Sequence, residues 1–331
     1  MVRKPNKTYL PVFMALTAAL LIALVLALLF GSASLSLREL VVGLQGGEDY
    51  AAVIARYVRL PRVAAAGLAG VGLAVSGTLL QGVTDNGLAS PNIIGVNAGA
   101  GLAVILMLSE CPEAVNLLPL AAFGGAFAAT LIIVFTAGRI GMSKTTVVLA
   151  GMALTSVLNA GISFVSLLDA DVVGMYRYFS IGTLAGVQLK QLAVPCGMIA
   201  LSLGLSLLLA RRMDALCLGD AAATALGIRV KSLRVLCLLC ASASAAAVVS
   251  FAGLLGFVGL IVPHIARRLV GGSMGRVLPA SALAGGTLVL LADMLGRTFF
   301  APTELPVGIV MALIGAPFFL FLLLRKGERH A

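Results

Sequence analysis

Tryptophan is absent from the 331 residues, charged residues make up only 11% of them, and there are two histidines. Without tryptophan, an aromatic belt at a membrane interface must rest on the five tyrosines and fourteen phenylalanines. Neither Gly-x-Gly-x-x-Gly nor Gly-x-x-x-x-Gly-Lys-[Ser/Thr] occurs, and no βαβ pattern flanks the glycine-rich stretches. These absences exclude a dinucleotide-binding or phosphate-binding loop of either kind.

Hydrophobic residues make up 60% of the sequence, and the mean hydropathy is +1.10. Both values lie far outside the range of soluble domains and predict an all-α polytopic membrane protein. A spanning helix takes about 20 apolar residues, so the chain has room for about ten spans and short loops. No soluble ATPase fits beside them. Any energy source other than an ion gradient must come from another chain, and this chain is not expected to be an enzyme.

Histidine and cysteine predict neither a metal site nor a disulfide. His264 has no cysteine or acid beside it and the other histidine lies near the end of the chain, which favours a structural hydrogen-bonding role over a proton relay or metal ligand. Cys237 and Cys240 have redox or metal spacing, but they lie within an apolar run and are interpreted as helix-packing residues. Only Cys111 falls in a predicted outer loop, which leaves no disulfide framework outside.

The apolar runs predict ten spans with both termini in the cytoplasm, forming a single transmembrane domain over residues 1–331. The first run, about residues 10–30, is too long for the apolar region of a signal peptide, about 7–15 residues. The eighth, about residues 254–266, is short and interrupted by glycines and Pro263. Most of the 23 Lys and Arg fall in predicted cytoplasmic segments, as the positive-inside rule requires, so the net charge of +10 does not indicate a nucleic-acid partner.

Several arginines break that rule, because the topology places them outside the membrane. Arg59 and Arg62 lie at the mouth of the second span, near Arg38 and Arg56, and Arg297 lies at the outer end of the ninth. The planar guanidinium suits paired recognition of carboxylates, so the cluster predicts an anionic ligand or an acidic protein surface. The alternative is lipid headgroup binding and snorkelling, which explains single arginines better than a cluster.

Asp293 is the one acid placed within a predicted span, and such residues are functional candidates by default. A proton-coupled or sodium-coupled secondary carrier would need it as its coupling site. Arg297, however, follows one helical turn later, and an i,i+4 pair would neutralise the carboxylate. We therefore interpret Asp293 as a structural partner of Arg297.

Residues 211–234 form the long polar interruption of the second half of the chain. Asp220 is placed to cap a short helix over residues 221–226, and Gly227 stands where a left-handed C-terminal residue is wanted. At helical spacing Ala222, Ala225 and Leu226 share one face, a small apolar knob that suits a groove on a partner protein. The alternative is a plain cytoplasmic linker with a helix on the membrane surface.

One set of glycine-rich motifs begins in the last part of the second span and continues beyond it, and another lies in the eighth span. The first set comprises residues 76–81 (SGTLLQ), 86–91 (NGLASP) and 95–101 (GVNAGAG), and the second is residues 256–268 (GFVGLIVPHIARR). Small residues allow close approach of helices, and the turn needs polar side chains as partners for its backbone away from water. The residues predicted to shape these motifs are Gln81, Asn86, Pro91, Gly95, Asn97, Pro263 and His264.

These motifs, Arg59-Leu-Pro-Arg62 and residues 218–230 (LGDAAATALGIRV) together resemble the permease subunits of the FecCD-type family, the type II ATP-driven importers of iron siderophores, haem and vitamin B12. The resemblance covers about residues 59–324 and departs at Gly87, where the family has proline. It implies that residues 211–234 are a coupling loop that docks on an ATPase subunit through Gly219, Asp220, Ala222, Ala225, Leu226 and Gly227. It also implies that Arg59, Arg62 and Arg297 pair with glutamates of a substrate-binding protein, and that Ser143, Lys144 and Thr145 form a cytoplasmic gate.

The resemblance further implies two ATPase subunits that hold ATP and Mg²⁺, a periplasmic or lipid-anchored binding protein, and a second permease copy or paralogue in a bacterial plasma membrane. No cofactor is expected on this chain. The expected substrate is a ferric siderophore, with haem or cobalamin as alternatives in the same class. The rival from another class is the ion-coupled secondary carrier that would use Asp293.

Overall fold

The computed structural model describes residues 9–31, 38–39, 42, 45 and 49–327, and over this part of the chain the regular structure is helical. In chain order the helices are α1 (Leu10–Leu29), α2 (Leu60–Thr84), α3 (Val96–Glu110), α4 (Leu118–Ile140), α5 (Lys144–Leu168), α6 (Ala170–Ile181), α7 (Ala193–Leu216), α8 (Asp220–Ala225), α9 (Val230–Ala252), α10 (Val258–Val270), α11 (Met274–Thr298) and α12 (Val307–Gly327). A helical turn (Tyr50–Val53) and a π-helical segment (Ile54–Arg59) lead directly into α2.

Ten of these helices lie where the apolar runs predict spans, and α6 and α8 are the short exceptions. Seven described helical stretches are long and apolar enough to cross a membrane, and their helices are α1, α2, α4, α5, α7, α9 and α11. Helices α3 and α12 contribute shorter apolar stretches, and α10 has only 13 residues. The chain is therefore a multi-pass, all-helical membrane protein.

Helix α2 is the centre of the packing. Most of its residues are buried, and it contacts α1, α7, α9, α10 and α11. Glycines set two of these crossings: a Cβ on Gly70 would lie 2.1 Å from the Gly285 carbonyl oxygen on α11, and one on Gly77 would lie 1.9 Å from the Gly259 carbonyl oxygen on α10. The backbones thus touch directly, as expected for helices packed through small residues.

Helix α10 is short because the chain before it is extended. Gly253 ends α9 with a positive φ of 69°, and α10 begins only after Phe257, whose φ of 66° is left-handed. The predicted interruption by glycines is confirmed in this stretch, and Pro263 lies buried inside the helix. His264 is partly buried in α10, and no group of three or more His, Cys, Asp and Glu that could hold a metal occurs among the described residues.

The predicted packing role of the cysteine pair is confirmed, since Cys237 and Cys240 are both buried in the core on α9. The Ser202 hydroxyl of α7 donates to the carbonyl oxygen of Cys240 over 2.7 Å. This contact joins α7 to α9, the two helices that flank α8 in the chain.

Candidate functional site

Helix α8 is a single short helix with well-formed ends. Gly219, with a φ of 104°, precedes it, and Gly227, with a φ of 78°, follows it. The backbone amide of Gly227 donates to the carbonyl oxygen of Thr224, and that of Ile228 donates to the carbonyl oxygen of Ala223. This pair of hydrogen bonds is the Schellman pattern of helix termination. The prediction that Gly227 ends this helix in a left-handed conformation is thereby confirmed. We call the end of the domain that carries α8 the inner end.

The predicted capping role of Asp220 is wrong. Asp220 is the first helical residue and its side chain caps no backbone amide. Its carboxylate instead accepts two hydrogen bonds from the Arg234 guanidinium, at 2.8 and 3.1 Å. A charged partner outcompetes a neutral amide for a carboxylate, because a charge-assisted bidentate pair is stronger.

The exposed apolar face of α8 differs in part from the predicted one. Ala225 and Leu226 are exposed, and Leu226 keeps 65% of its surface. Ala222 is only partly exposed, and its neighbour Ala223 is fully buried against the core. Leu218, just before the helix, is 71% exposed and was missed by sequence reasoning. A large apolar residue within the longest polar segment was the signal that could have found it.

The loop between α4 and α5 lies beside α8 at the inner end. Ser143 caps α5, since its hydroxyl accepts from the Thr146 amide at 3.0 Å. The Lys144 ammonium pairs with the Asp85 carboxylate at 2.9 Å, joining this loop to the end of α2. Thr145 is exposed. The three residues predicted as a gate thus lie together at the inner surface, and their role as a gate stays a prediction.

Arg234 connects this loop to α8. Its side chain is 1% exposed, and it donates to the Met142 carbonyl oxygen at 2.5 Å as well as to Asp220. Sequence reasoning placed Arg234 only at the end of the polar segment. A lone arginine entering an apolar helix was the available signal, since an arginine in such a position needs partners.

The turn after α2 is shaped by the predicted polar residues. Gln81 donates to the carbonyl oxygens of Gly259 and Leu260, at 3.2 and 3.3 Å, and its own carbonyl accepts from Arg267. Asn86 accepts from the Leu88 amide at 3.0 Å. In the same turn Pro91 is buried and Gly95, with a φ of 71°, opens α3. The prediction that polar side chains serve the backbone of the turn is confirmed for Asn86, whereas Gln81 serves the backbone of α10 instead.

Cys217 lies at the inner end, just beyond α7. Burial raises the pKa of its thiol, and the carboxylates of Asp85 and Asp214 raise it further. Only the thiolate is alkylated, so a raised pKa slows the reaction at neutral pH and the rate climbs as the pH increases.

We expect Asp85→Asn to remove one of these carboxylate charges and to speed alkylation of Cys217 by iodoacetamide about threefold at neutral pH. The measurement is mass spectrometry of the peptide that contains Cys217, in the purified full chain. Asp171→Asn is the matched control, because Asp171 is exposed on α6. An equal rate in Asp85→Asn and the control would contradict this arrangement of charges.

At the opposite end, which we call the outer end, Arg59, Arg62 and Arg297 come together as predicted. They are not presented to the surface, however, since they are only 3%, 5% and 3% exposed. Arg59 donates to the carbonyl oxygens of Leu28 and Leu29, at 2.7 and 2.6 Å, while Arg297 donates to that of Ala27 at 3.0 Å. The arginines occupy the carbonyl groups that a helix C-terminus leaves unbonded. Docking on a binding protein by these three arginines stays a prediction.

Asp293 lies between two of these arginines. Arg297 approaches it at 3.0 Å through the predicted i,i+4 pair, and Arg62 approaches it at 3.0 Å from α2. Arg62 also pairs with Glu304 at 2.5 Å. Asp293 is 1% exposed and lines no cavity described in this structure. The structural interpretation of Asp293 is confirmed, with a second arginine that sequence reasoning did not assign to it.

A cavity of about 500 Å³ opens between α3, α5, α6 and α12. Its polar side chains are neutral: Asn92, Asn97, Thr155, Asn159, Tyr176 and Ser180. The remaining lining residues are apolar or glycine, so it contains no carboxylate, imidazole, thiol or cation. Such a surface offers hydrogen bonds to a passing molecule but no strong ligand for a bare metal ion. Asn97, predicted to serve the backbone of the turn, lies in this lining.

The fold and the sites define a class. An all-helical multi-pass domain with a neutral cavity, and with a rigidly held helix that exposes an apolar face at one end, is a transport permease.

The chain belongs to the FecCD transport family, whose model matches residues 19–325. It is 35% identical over 322 residues to the Fe(3+)-citrate import system permease protein YfmE of Bacillus subtilis (strain 168), covering 97% of this chain and 96% of that one. It is 38% identical over 316 residues to the Fe(3+) dicitrate transport system permease protein FecD of Escherichia coli (strain K12), covering 94% and 97%.

A solved structure described as an inward-facing conformation of a metal-chelate type ABC transporter superposes with a TM-score of 0.86. It is 29% identical and covers 96% of this chain and all of that one. The predicted family is therefore confirmed. The chain is a non-catalytic permease subunit of an ABC transporter, and the secondary-carrier alternative is set aside.

Proposed function

We propose that this chain is the permease of an importer that carries a ferric chelate of the siderophore type across a bacterial plasma membrane. The observation that carries the proposal is the exposed apolar face of α8, held in place by the buried Arg234. Two exposed leucines, Leu218 and Leu226, lie just before and just after α8. An exposed apolar patch on a rigid element is typical of a protein-docking site.

In this proposal the chain spans the membrane ten times with both termini in the cytoplasm, and the inner end faces the cytoplasm. Two ATPase subunits dock on the α8 helices of two permease copies, or of this chain and a paralogue. ATP and Mg²⁺ bind on the ATPases alone. A substrate-binding protein, free or lipid-anchored, delivers the chelate at the outer end.

The nature of the cavity supports transport of the intact chelate. Because its polar groups are neutral amides and hydroxyls, they can hydrogen-bond the oxygen-rich surface of a chelate without removing its iron. The two relatives named above are ferric citrate permeases by name, which supports a ferric chelate as the substrate.

The test is uptake of radiolabelled ferric citrate and ferric hydroxamates by liposomes that contain the chain, its cognate ATPase and its binding protein. We expect uptake to require both ATP and the binding protein. Leu226→Asn, which places an amide in the apolar docking face, is expected to lower uptake about tenfold and to reduce co-purification of the ATPase.

Leu168→Asn is the matched control, because Leu168 is 71% exposed at the far end of α5. It is expected to leave uptake and co-purification unchanged. Accumulation of the chelate on a proton or sodium gradient without ATP would overturn the proposal.

A further inference from the structure

Arg234 ties two parts of the inner end into one unit. From α9 it reaches Asp220 on α8 through both terminal nitrogens, and it also reaches the Met142 carbonyl oxygen in the α4–α5 loop. The Arg234 side chain is 1% exposed and that of Asp220 is 48% exposed, so the burial of this pair comes from the arginine. Met142 directly precedes the predicted gate residues, so one guanidinium joins the proposed docking helix to the proposed gate.

These contacts are difficult to break separately. The guanidinium is planar and rigid, and its Nη1 donates both to Met142 and to Asp220 while Nη2 donates to Asp220 alone, so the two contacts keep a fixed geometry relative to each other. A buried guanidinium that loses its carboxylate is left as an uncompensated charge, which is strongly unfavourable. A displacement of α8 therefore carries Arg234 along, and Arg234 carries the loop.

The opposite side of the loop is held more weakly. Lys144 pairs with Asp85 on α2, but the two side chains are 28% and 59% exposed. Ion pairs between solvent-exposed side chains contribute little to stability. The loop is thus held firmly to α8 by the Arg234 contacts and weakly to α2 by the Lys144–Asp85 pair. A force applied at α8 therefore opens the Lys144–Asp85 contact before it breaks the Arg234 contacts.

We infer that Arg234 transmits the motion of α8 to the α4–α5 loop, and that the Lys144–Asp85 pair is the contact that opens when the loop moves. Arg234 is a positioning residue in this scheme and touches no substrate. The inference rests on the proposed function, because it takes α8 to be the element that the ATPase moves.

The experiment compares hydrogen–deuterium exchange in the reconstituted complex with and without a non-hydrolysable ATP analogue. Exchange is followed in peptides from α8 (residues 220–226) and from the loop (residues 139–145). In the wild type we expect the analogue to change the exchange rate of both peptides, that of the loop by about tenfold.

The test variants are Arg234→Lys and Asp220→Asn. Lysine keeps the positive charge but lacks the fork that binds Asp220 and Met142 together, and asparagine keeps the shape of Asp220 while removing its charge. In both we expect the response of α8 to persist and that of the loop to fall to within about twofold of no change. Lys231→Gln is the matched control, since Lys231 donates to Gly138 from the exposed side of the same helix at 3.1 Å. It is expected to behave as wild type.

A wild-type loop response in both variants would overturn the inference. Loss of the response in α8 as well would also overturn it, because Arg234 would then seat the docking helix rather than transmit its motion. If the wild type itself shows no response in either peptide, the proposed function fails, and the two failures are thereby distinguished.

Discussion

Asp293→Asn is expected to destabilise the folded chain by about 3–5 kcal/mol. The substitution removes the carboxylate that Arg62 and Arg297 both approach at 3.0 Å, in a site where all three side chains are at most 7% exposed. Arg62 retains Glu304, whereas Arg297 is left with the Ala27 carbonyl oxygen of α1, which carries no charge to balance its own. A buried cation without its counter-ion is the physical cause of the loss.

The measurement is the unfolding midpoint of the full chain in detergent, followed by circular dichroism. Asp171→Asn, an exposed carboxylate change on α6, is the control and is expected to stay within about 0.5 kcal/mol of the wild type. The double variant Asp293→Leu with Arg297→Leu removes both charges together and is expected to be more stable than Asp293→Asn. Wild-type stability of Asp293→Asn combined with a loss of transport would contradict the structural assignment, because it would point to a coupling carboxylate instead.

Gly77→Ala is expected to destabilise the chain by about 3 kcal/mol, the upper part of the range for overpacked cores. The new methyl group would lie 1.9 Å from the Gly259 carbonyl oxygen and 2.5 Å from the Gly259 Cα. Backbone atoms cannot move aside as a flexible side chain can, so α2 and α10 must separate. Gln81, one turn further along α2, would then lose its hydrogen bonds to Gly259 and Leu260.

The matched control for this prediction is Gly204→Ala on α7, where a Cβ would meet nothing within 4 Å. Alanine is the better helix former, so this change is expected to be neutral or stabilising by up to about 1 kcal/mol. Both variants are compared by the same unfolding measurement. Equal stability of the two alanine variants would show that α2 and α10 do not cross at Gly77.

Features that depend on local pattern could be predicted from the sequence. The ten apolar helices follow from hydrophobic runs, the end of α8 follows from Gly227, and the pair of Asp293 with Arg297 follows from helical spacing. Each involves residues close together in the chain, where the geometry of one helix decides the contact.

Features that depend on distant partners could not be predicted. Asp220 was expected to cap its own helix, but Arg234, reached only after the chain has turned into α9, takes the carboxylate. The sequence grouped Arg59 with Arg297 but gave no sign that both donate to carbonyl oxygens at the end of α1. In both cases the contact joins two different helices, and the sequence alone does not show which helices become neighbours.

The hydrogen bonds from Arg59 and Arg297 to the carbonyl end of α1 bear on the order in which the helices assemble during synthesis. Helix α1 is synthesised before α2 and α11, yet it buries little of its own surface and depends on Arg59, just before α2, and on Arg297 of α11. The arginine from α11 lies 270 residues beyond its acceptor on α1. During synthesis α1 therefore lacks the hydrogen bond from Arg297 until α11 has been made. A helix made early is fully secured only late.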